Sequence, residues 1–343
     1  ADPRLAFPAG LDDFDALNAA IAADDSDARA HGYLGCWLLD AGRTGDASSA
    51  LERSIAGDID DPVVWRNAAV ALVNTGGDLA DADARYAGAL QLSPSDPRLV
   101  YERDQLAALR GVAPGNRLAA INAAGTQVLV RDDLAIEYAA LLVDVGRAEA
   151  ALEFLAGRSF QPFEGGEGRV IAVFDRAQVA VASDLIAAGA AVDAAELLRS
   201  GISVPEHFGE GRHPADSIAE RLVLLGDAEA AIGQPDAAEA AWRTARDGGG
   251  ALAAGAHTVD ARDYWVGVAL QRLGEHEAAA AVWSALDRRA DELEAAADQP
   301  DYFATSLPEL LLFSVDSEKR RAEQARMLRE LAAEGRRAAG VNA

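Results

Sequence analysis

The sequence has little sulphur, few aromatic residues and almost no lysine. Its 343 residues include one cysteine and one methionine, 6% are aromatic, and Lys319 is the only lysine. A single cysteine excludes an internal disulfide and any metal site built from several cysteines. Cys36 lies on the apolar side of a predicted helix, so we expect a buried and unreactive thiol.

Long apolar runs are missing as well. The sequence has no run of about 18 apolar residues and no charged segment followed by a shorter apolar one, which predicts neither a membrane span nor a secretion signal. The chain begins Ala-Asp-Pro without a methionine, so we expect the natural protein to be longer at its N-terminus. On these grounds we expect a cytoplasmic protein.

The motifs of the common catalytic sites are also missing. No serine lies in a Gly-x-Ser-x-Gly turn, and the Gly-Gly-Glu-Gly stretch lacks the Lys-Ser/Thr pair of a phosphate-binding loop. His207 and His213 lie six positions apart with no third ligand at a spacing typical of zinc sites. We therefore predict no catalytic residue in this chain, no metal and no cofactor.

Among the charged residues of the sequence, acidic ones are in large excess. The sequence has 56 acidic against 31 basic residues, a formal net charge of −25. Such a field repels nucleic acid and anionic membranes, so we expect neither as a partner, and it attracts basic partners. A well-solvated surface explains the same composition without any dedicated acidic docking face.

The stretch from Asp27 to Asp61 predicts two short helices joined by a glycine-containing turn. Apolar residues recur at helical spacing in both halves, and Gly42 and Gly45 flank the turn. Gly35 and Ala47 are small enough to let the two helices approach closely, with larger leucines filling the space beside them. A single hairpin cannot bury both of its faces, so it needs similar hairpins as neighbours.

Such neighbours follow, and the second resembles a known repeat. It runs from about Pro62 to Leu92, with Trp65 near its start, a turn at Gly76–Asp78 and Tyr86 in its second helix. A tryptophan near the start, small residues and tyrosine in the second helix and a following proline resemble the tetratricopeptide consensus, which has a period of about 34 residues. The third hairpin is predicted as Leu99–Arg110 and Leu118–Leu129.

The resemblance implies an all-α, right-handed tetratricopeptide-like superhelix, an α-solenoid of about seven helical hairpins, with the first helix of each pair lining the concave side. We expect residues 1–27 to form a lead-in and a helix at Leu11–Ala23, and residues 28–300 to form the repeat array. Residues 301–343 should form capping helices. Inserted loops are predicted at 158–170, 203–215 and 248–258, with a fourth, rich in aromatic residues, at 297–313.

The first two inserted loops share a Gly-Glu-Gly motif with a phenylalanine upstream. If neighbouring hairpins stack in register, their carboxylates come close together, where they could cap helices, contact a partner or ligand, bind a cation or act as acid and base on a glycoside. The contact candidates here are Phe163, Glu164, Gly166, Glu167, Gly168, Phe208, Gly209, Glu210 and Gly211. Asp132 and Asp133, at the start of another predicted helix, are candidates for helix capping or for ligand contact.

Several fragments together resemble the C-terminal repeat region of a large bacterial family of unknown function. Its members join an N-terminal β-rich, carbohydrate-enzyme-like part to tetratricopeptide hairpins. That family tends to show tryptophan where this sequence has Phe163. The fragments are DARAHGYLG, VVWRNAAVAL, YERDQL, RDDL, RSFQPFEGGEGRV, PEHFGEGRH and DYFATSLPELLLF. The resemblance implies an accessory module of a carbohydrate-processing protein, with carbohydrate contact only through the parent protein.

The sequence thus favours a non-catalytic scaffold that binds protein: the adjoining domain, another protein or a second copy of itself. On that hypothesis, removing Glu167 and Glu210 weakens docking and leaves folding intact. One alternative is that the Gly-Glu-Gly loops complete the active site of an adjoining sugar-processing domain. A second alternative is an acidic adaptor for basic peptides, whose affinity would fall steeply with salt.

Overall fold

The computed structural model describes residues 8–163, 165–250, 257–296, 312–313 and 317–340, and these residues are almost entirely helical. They form sixteen α-helices and two short 3-10 turns, at Thr126–Val130 and Glu206–Phe208, with no strand among them. The prediction of an all-α fold is confirmed. The helices are α1 Leu11–Ala23, α2 Ala28–Asp40, α3 Thr44–Ala56, α4 Pro62–Asn74, α5 Leu79–Leu92, α6 Pro97–Leu109, α7 Pro114–Ala124, α8 Asp132–Asp144, α9 Ala148–Ala156, α10 Arg169–Ala187, α11 Ala191–Ser200, α12 Ala219–Ala231, α13 Pro235–Arg246, α14 Asp263–Arg272, α15 His276–Ala295 and α16 Ser317–Ala338.

The chain divides into two compact units. Unit 1 comprises Ala1–Leu141 with Leu307–Ser314, and unit 2 comprises Leu142–Ser306 with Val315–Ala343. Among the described residues, no helix is both long enough and apolar enough to cross a membrane. Each unit is built from helical hairpins that pack on the next hairpin along the chain.

Four helices of unit 1, α2, α4, α5 and α6, begin directly after an aspartate. Asp27, Asp61, Asp78 and Asp96 each precede a helix, and each side chain accepts hydrogen bonds from amides of the first turn. The first turn of a helix has amides without intrahelical partners, so these carboxylates satisfy them. The four caps thus stabilise the first turns of these helices.

Close helix approach in the first hairpin depends on Gly35. A Cβ atom placed there would lie 2.5 Å from Cγ of Leu51, on the facing helix. Gly35 therefore packs directly against Leu51, while Ala47 is fully buried beside it. Trp37 of α2 packs with its ring tilted against Phe14 of α1, and its indole N–H donates to the Gly10 carbonyl at 3.0 Å. Residues 1–7 of the predicted lead-in lie outside the described part of the chain.

The third hairpin differs from its prediction. The helix expected at Leu118–Leu129 begins earlier, at Pro114, and ends at Ala124. Gly125 has φ +87°, a conformation that breaks the helix, and a 3-10 turn follows. The proline at the first position starts the helix because its missing N–H would have no partner there in any case.

In unit 2 the packing of a glycine against a large side chain of the facing helix recurs, and the large side chain is there a tryptophan. Gly226 packs on Trp242 and Gly267 on Trp283, in each case sixteen positions further along the chain, as in Gly35 and Leu51. The Trp283 ring is 1% exposed because Gly335 of α16 approaches it as well. The helix α16 thereby covers the last hairpin of this unit, and Arg329 joins it to Asp291 and Glu294 of α15.

Two of the predicted loops are only partly described. Of the stretch 248–258, residues 251–256 lie outside the described part, and the Gly248 carbonyl accepts a hydrogen bond from the Ile218 amide at 2.9 Å. Of the stretch 297–313, the structure describes Leu312 and Phe313.

Candidate functional site

The first Gly-Glu-Gly loop, residues 158–170 of unit 2, leads into α10. Gly168 caps that helix with φ +74°, a left-handed conformation that favours glycine. The ring of Phe163 lies against Gly166, where a Cβ atom would come within 2.2 Å of it. Phe163 is half-exposed and Glu167 is exposed, whereas Phe160 is buried. Glu164 lies outside the described residues.

The second loop, residues 203–215, contains the 3-10 turn Glu206–Phe208. Phe208 is 1% exposed, and Gly209 after it has φ +71°. A Cβ atom at Gly209 would lie 2.6 Å from the carbonyl oxygen of Phe160, in the first loop. The glycine therefore allows both the turn and the close approach of one loop to the other.

Two hydrogen bonds join these loops into one element, which we call the loop pair. The Phe160 amide donates to the His207 carbonyl at 2.9 Å, and the Gly168 amide donates to Oε2 of Glu210 at 2.8 Å. The second bond satisfies an amide at the N-terminus of α10 with a carboxylate, the group that a helix N-terminus favours.

Aromatic rings fill the space beneath the loop pair. The rings of Phe160 and Phe174 meet the Phe208 ring edge to face, at centroid distances of 5.8 Å and 5.3 Å. The guanidinium of Arg158 lies 4.8 Å from the centroid of the Phe160 ring. Edge-to-face packing of aromatic rings stabilises a structure by more than the burial of their apolar area alone. This cluster therefore helps to fix the position of the two loops.

A charged cluster anchors the second loop to the helices of unit 2. Asp175 of α10 accepts hydrogen bonds from Arg212, directly after Gly211, and from Nη2 of Arg221 at 2.7 Å. Arg221 is 2% exposed, and its Nη1 also donates to the Leu198 carbonyl at 3.2 Å. Burial lowers the pKa of Arg221 although Asp175 acts in the opposite direction, and burial with the nearby Asp175 raises the pKa of Glu220.

The candidates of the two loops therefore have different surroundings. Glu210 is engaged inside the loop pair, and Phe208 belongs to the aromatic cluster beneath it. Gly166, Gly168 and Gly209 shape the backbone, and Gly211 is exposed. Glu167 is exposed and Phe163 is half-exposed; Glu210 is half-exposed too, but its carboxylate binds the Gly168 amide.

Asp132 and Asp133 lie at the start of α8, in unit 1. Asp133 is buried, its carboxylate is bound by Arg131 at 2.8 Å, and it accepts from the Leu134 amide at 2.7 Å. Asp133 therefore has local partners of the kind expected for a helix start.

Among the described residues, no group of three or more His, Cys, Asp or Glu side chains is arranged to hold a metal ion.

Sequence reasoning missed the residues that support the loops. Phe160, Phe174, Asp175 and Arg221 were not among the candidates, although their contacts fix the position of the Gly-Glu-Gly motifs. Arg212 could have been found, since it directly follows the second motif. The others lie in helices whose apolar and charged patterns resemble those of any hairpin.

Comparison with solved structures found proteins of low sequence identity to which this chain is similar. The chain is similar to tetratricopeptide repeat proteins. One, from Parabacteroides merdae, is 13% identical, with 75% of this chain and 91% of that chain covered and a TM-score of 0.35. YrrB, described as a tetratricopeptide repeat protein with an unusual peptide-binding site, is 14% identical over 68% of this chain and 92% of its own, with a TM-score of 0.25.

A third similar structure is that of Naa15/Naa10 bound to HypK-THB. It is 14% identical, with 94% of this chain and 52% of that chain covered and a TM-score of 0.44. No model of a known protein family matches the sequence. The resemblance to a bacterial family with a β-rich N-terminal part therefore stays a prediction.

Proposed function

We propose that this chain is a non-catalytic, protein-binding scaffold module and that the loop pair carries its docking surface. The observation that carries the proposal is the joining of two inserted loops by the hydrogen bond from the Gly168 amide to Glu210. Ordering a loop costs conformational entropy, and here the buried rings hold both loops while Asp175 holds the second loop through Arg212. A rigid surface binds a partner without paying that ordering cost again.

The outward side of the loop pair offers an exposed carboxylate, Glu167, and the half-exposed ring of Phe163. Aromatic side chains are enriched at the centre of protein interfaces, and polar groups lie at the rim. The net charge of −25 favours a partner surface with basic groups. The resemblance stated above makes the β-rich, carbohydrate-processing part of a longer protein the partner that we propose.

The two glutamates have different roles in this proposal. Glu210 positions the loop pair through the Gly168 amide, and Glu167 contacts the partner. This changes the expectation that both side chains can be removed without effect on folding. Loss of the Glu210 acceptor leaves a helix-terminal amide without its partner, which costs about 0.5–1.5 kcal/mol.

Calorimetric titration tests the proposal. The chain is titrated with the separately expressed β-rich N-terminal part of the proposed longer protein. We expect Glu167→Ala to weaken binding about fivefold or more without lowering the melting temperature, since a side chain at an interface contributes to affinity in this range. Glu210→Ala should lower the melting temperature and weaken binding, whereas Glu210→Gln should preserve more of both because its amide oxygen still accepts.

Glu196→Ala is the matched control, because Glu196 is an exposed glutamate on α11 of the same unit. It should bind as the wild type does. Equal affinity of Glu167→Ala and the wild type would refute the docking surface. Binding that vanishes at high salt would instead favour the acidic adaptor for basic peptides.

A further inference from the structure

The apolar cluster of unit 1 contains two residues from a distant part of the sequence. Leu312 and Phe313, both half-buried, pack against a cluster whose buried members lie in α4, α5 and α6. The cluster includes Val70, Val73 and Tyr86 among its buried members. These contacts are non-local, because Asn74 and Leu312 are separated by 238 positions.

The backbone of this distant segment is held as well as its side chains. Nδ2 of Asn74, at the end of α4, donates a hydrogen bond to the Leu312 carbonyl at 3.3 Å. Leu312 and Phe313 form a bend and belong to no helix. A hydrogen bond from a side-chain amide to the backbone, together with two apolar side chains on a helical surface, does not require the bound segment to be helical.

We propose that the face of α4 and α5 around Asn74 is a peptide-docking site, and that the chain's own Leu312–Phe313 segment occupies it as an internal ligand. The site takes a segment with two consecutive large apolar side chains, and Asn74 binds the carbonyl of the first. While Leu312 and Phe313 are in place, the site is closed to apolar peptides from outside. This site is independent of the loop pair.

Attachment to the same chain explains how so small a ligand stays bound. Two half-buried side chains and one hydrogen bond give weak affinity in solution, but a tethered ligand has an effective concentration in the millimolar range. A free peptide of the same sequence therefore competes poorly with it. Removal of the internal side chains should make the site accessible.

The probe is a fluorescein-labelled peptide of residues 308–316, PELLLFSVD. Its fluorescence anisotropy is measured with the full chain and with the Leu312→Asp/Phe313→Asp variant, whose fold is checked by circular dichroism. We expect the variant to bind the peptide about tenfold or more tightly than the wild type does. The same peptide with aspartate at both apolar positions is the control and should bind neither protein.

Adding Asn74→Ala to that variant should weaken peptide binding again, since the backbone hydrogen bond is lost. Equal binding by wild type and variant, or no binding to a folded variant, would overturn the proposal. A triple variant that binds as well as the double variant would overturn the role of Asn74.

A second measurement leaves the Leu312–Phe313 segment in the proposed peptide-docking site. A photoreactive benzoylphenylalanine in place of Phe313 should form, on illumination, a crosslink to α4 or α5 that mass spectrometry locates. The replacement keeps an aromatic ring at position 313 and adds a benzoyl group to it. Crosslinks that exclude α4 and α5 would contradict the internal ligand even if the double variant failed to fold.

Discussion

At the scale of single residues, the space beside a glycine decides how closely two helices approach. Gly35 faces the side chain of Leu51, so a methyl group there would have to displace Leu51 or separate α2 from α3. Close-packed interiors accommodate extra atoms poorly. The close approach of α2 and α3 thus depends on having glycine, which has no side chain, at position 35.

We therefore expect Gly35→Ala to lower the free energy of unfolding by about 1–3 kcal/mol. Gly45→Ala is the control within the same hairpin, because a Cβ atom at Gly45 meets nothing within 4 Å and alanine favours the helix. Urea unfolding of both variants measures the difference. A Gly35→Ala variant as stable as Gly45→Ala would show that the helices can move apart at no cost.

At the scale of elements, the helices α2, α4, α5 and α6 of unit 1 each begin after a capping aspartate. Asp61 caps α4 through the Val63 amide at 2.9 Å, and Pro62 follows it at the first helical position. The cap satisfies an amide that would otherwise have no partner within the helix. Because α4 also presents Asn74, its position bears on the proposed peptide-docking site.

Asp61→Ala should lower stability by about 1 kcal/mol, the usual cost of losing an N-cap. Asp60→Ala, one position earlier and exposed, should change it by less than about 0.5 kcal/mol. Thermal unfolding followed by circular dichroism compares them. The cap would have no energetic importance if both variants melted at the same temperature.

The sequence predicted individual elements better than the contacts between distant ones. Amphipathic periodicity placed α1 at Leu11–Ala23 and the second hairpin at Pro62–Leu92, as the structure has them. Periodicity reports which face of a helix is buried, and that property is local. The fold class followed from it.

The candidate site could be predicted only in part, for the same reason. The Gly-Glu-Gly motifs were visible in the sequence, and stacking in register suggested that they could approach one another. The acceptor for the Gly168 amide lies 42 positions away in Glu210, and no periodic pattern encodes such a pairing. The packing of Leu312 and Phe313 on unit 1 was not foreseen for the same reason.

At the scale of the whole molecule, buried ion pairs make stability depend on pH. Glu102 is buried in unit 1, where Arg66 binds both of its carboxylate oxygens at 2.7 Å and the Tyr86 hydroxyl donates at 3.1 Å. Burial alone would raise the pKa of Glu102, but Arg66 and Arg98 outweigh it and hold the pKa below its ordinary value of 4.5. The folded state therefore favours the ionised carboxylate.

The stabilisation by Glu102 is fully present above pH 4.5 and is lost as the pH falls through the lowered pKa of the folded state. We expect Glu102→Gln to cost about 3 kcal/mol near neutral pH, since it leaves buried arginine without its anion. That cost should shrink as the medium becomes more acidic than pH 4.5, because the wild type then loses the same charge.

Denaturant unfolding of the variant and the wild type over this pH range measures the effect. Glu52→Gln is the control, because the pair of Glu52 with Arg85 is more exposed and should contribute less than about 1 kcal/mol. A cost for Glu102→Gln that stayed constant down to acidic pH would contradict the assignment of the ionised form.

Leu312 and Phe313 have one more consequence, for how this chain can be divided. In sequence they lie between α15 and α16 of unit 2, yet they complete the apolar cluster of unit 1. A gene segment that ends at Leu141 encodes unit 1 without two of the side chains that cover its core. The two units are thus interleaved along the sequence, so neither can be exchanged as one uninterrupted stretch of the chain.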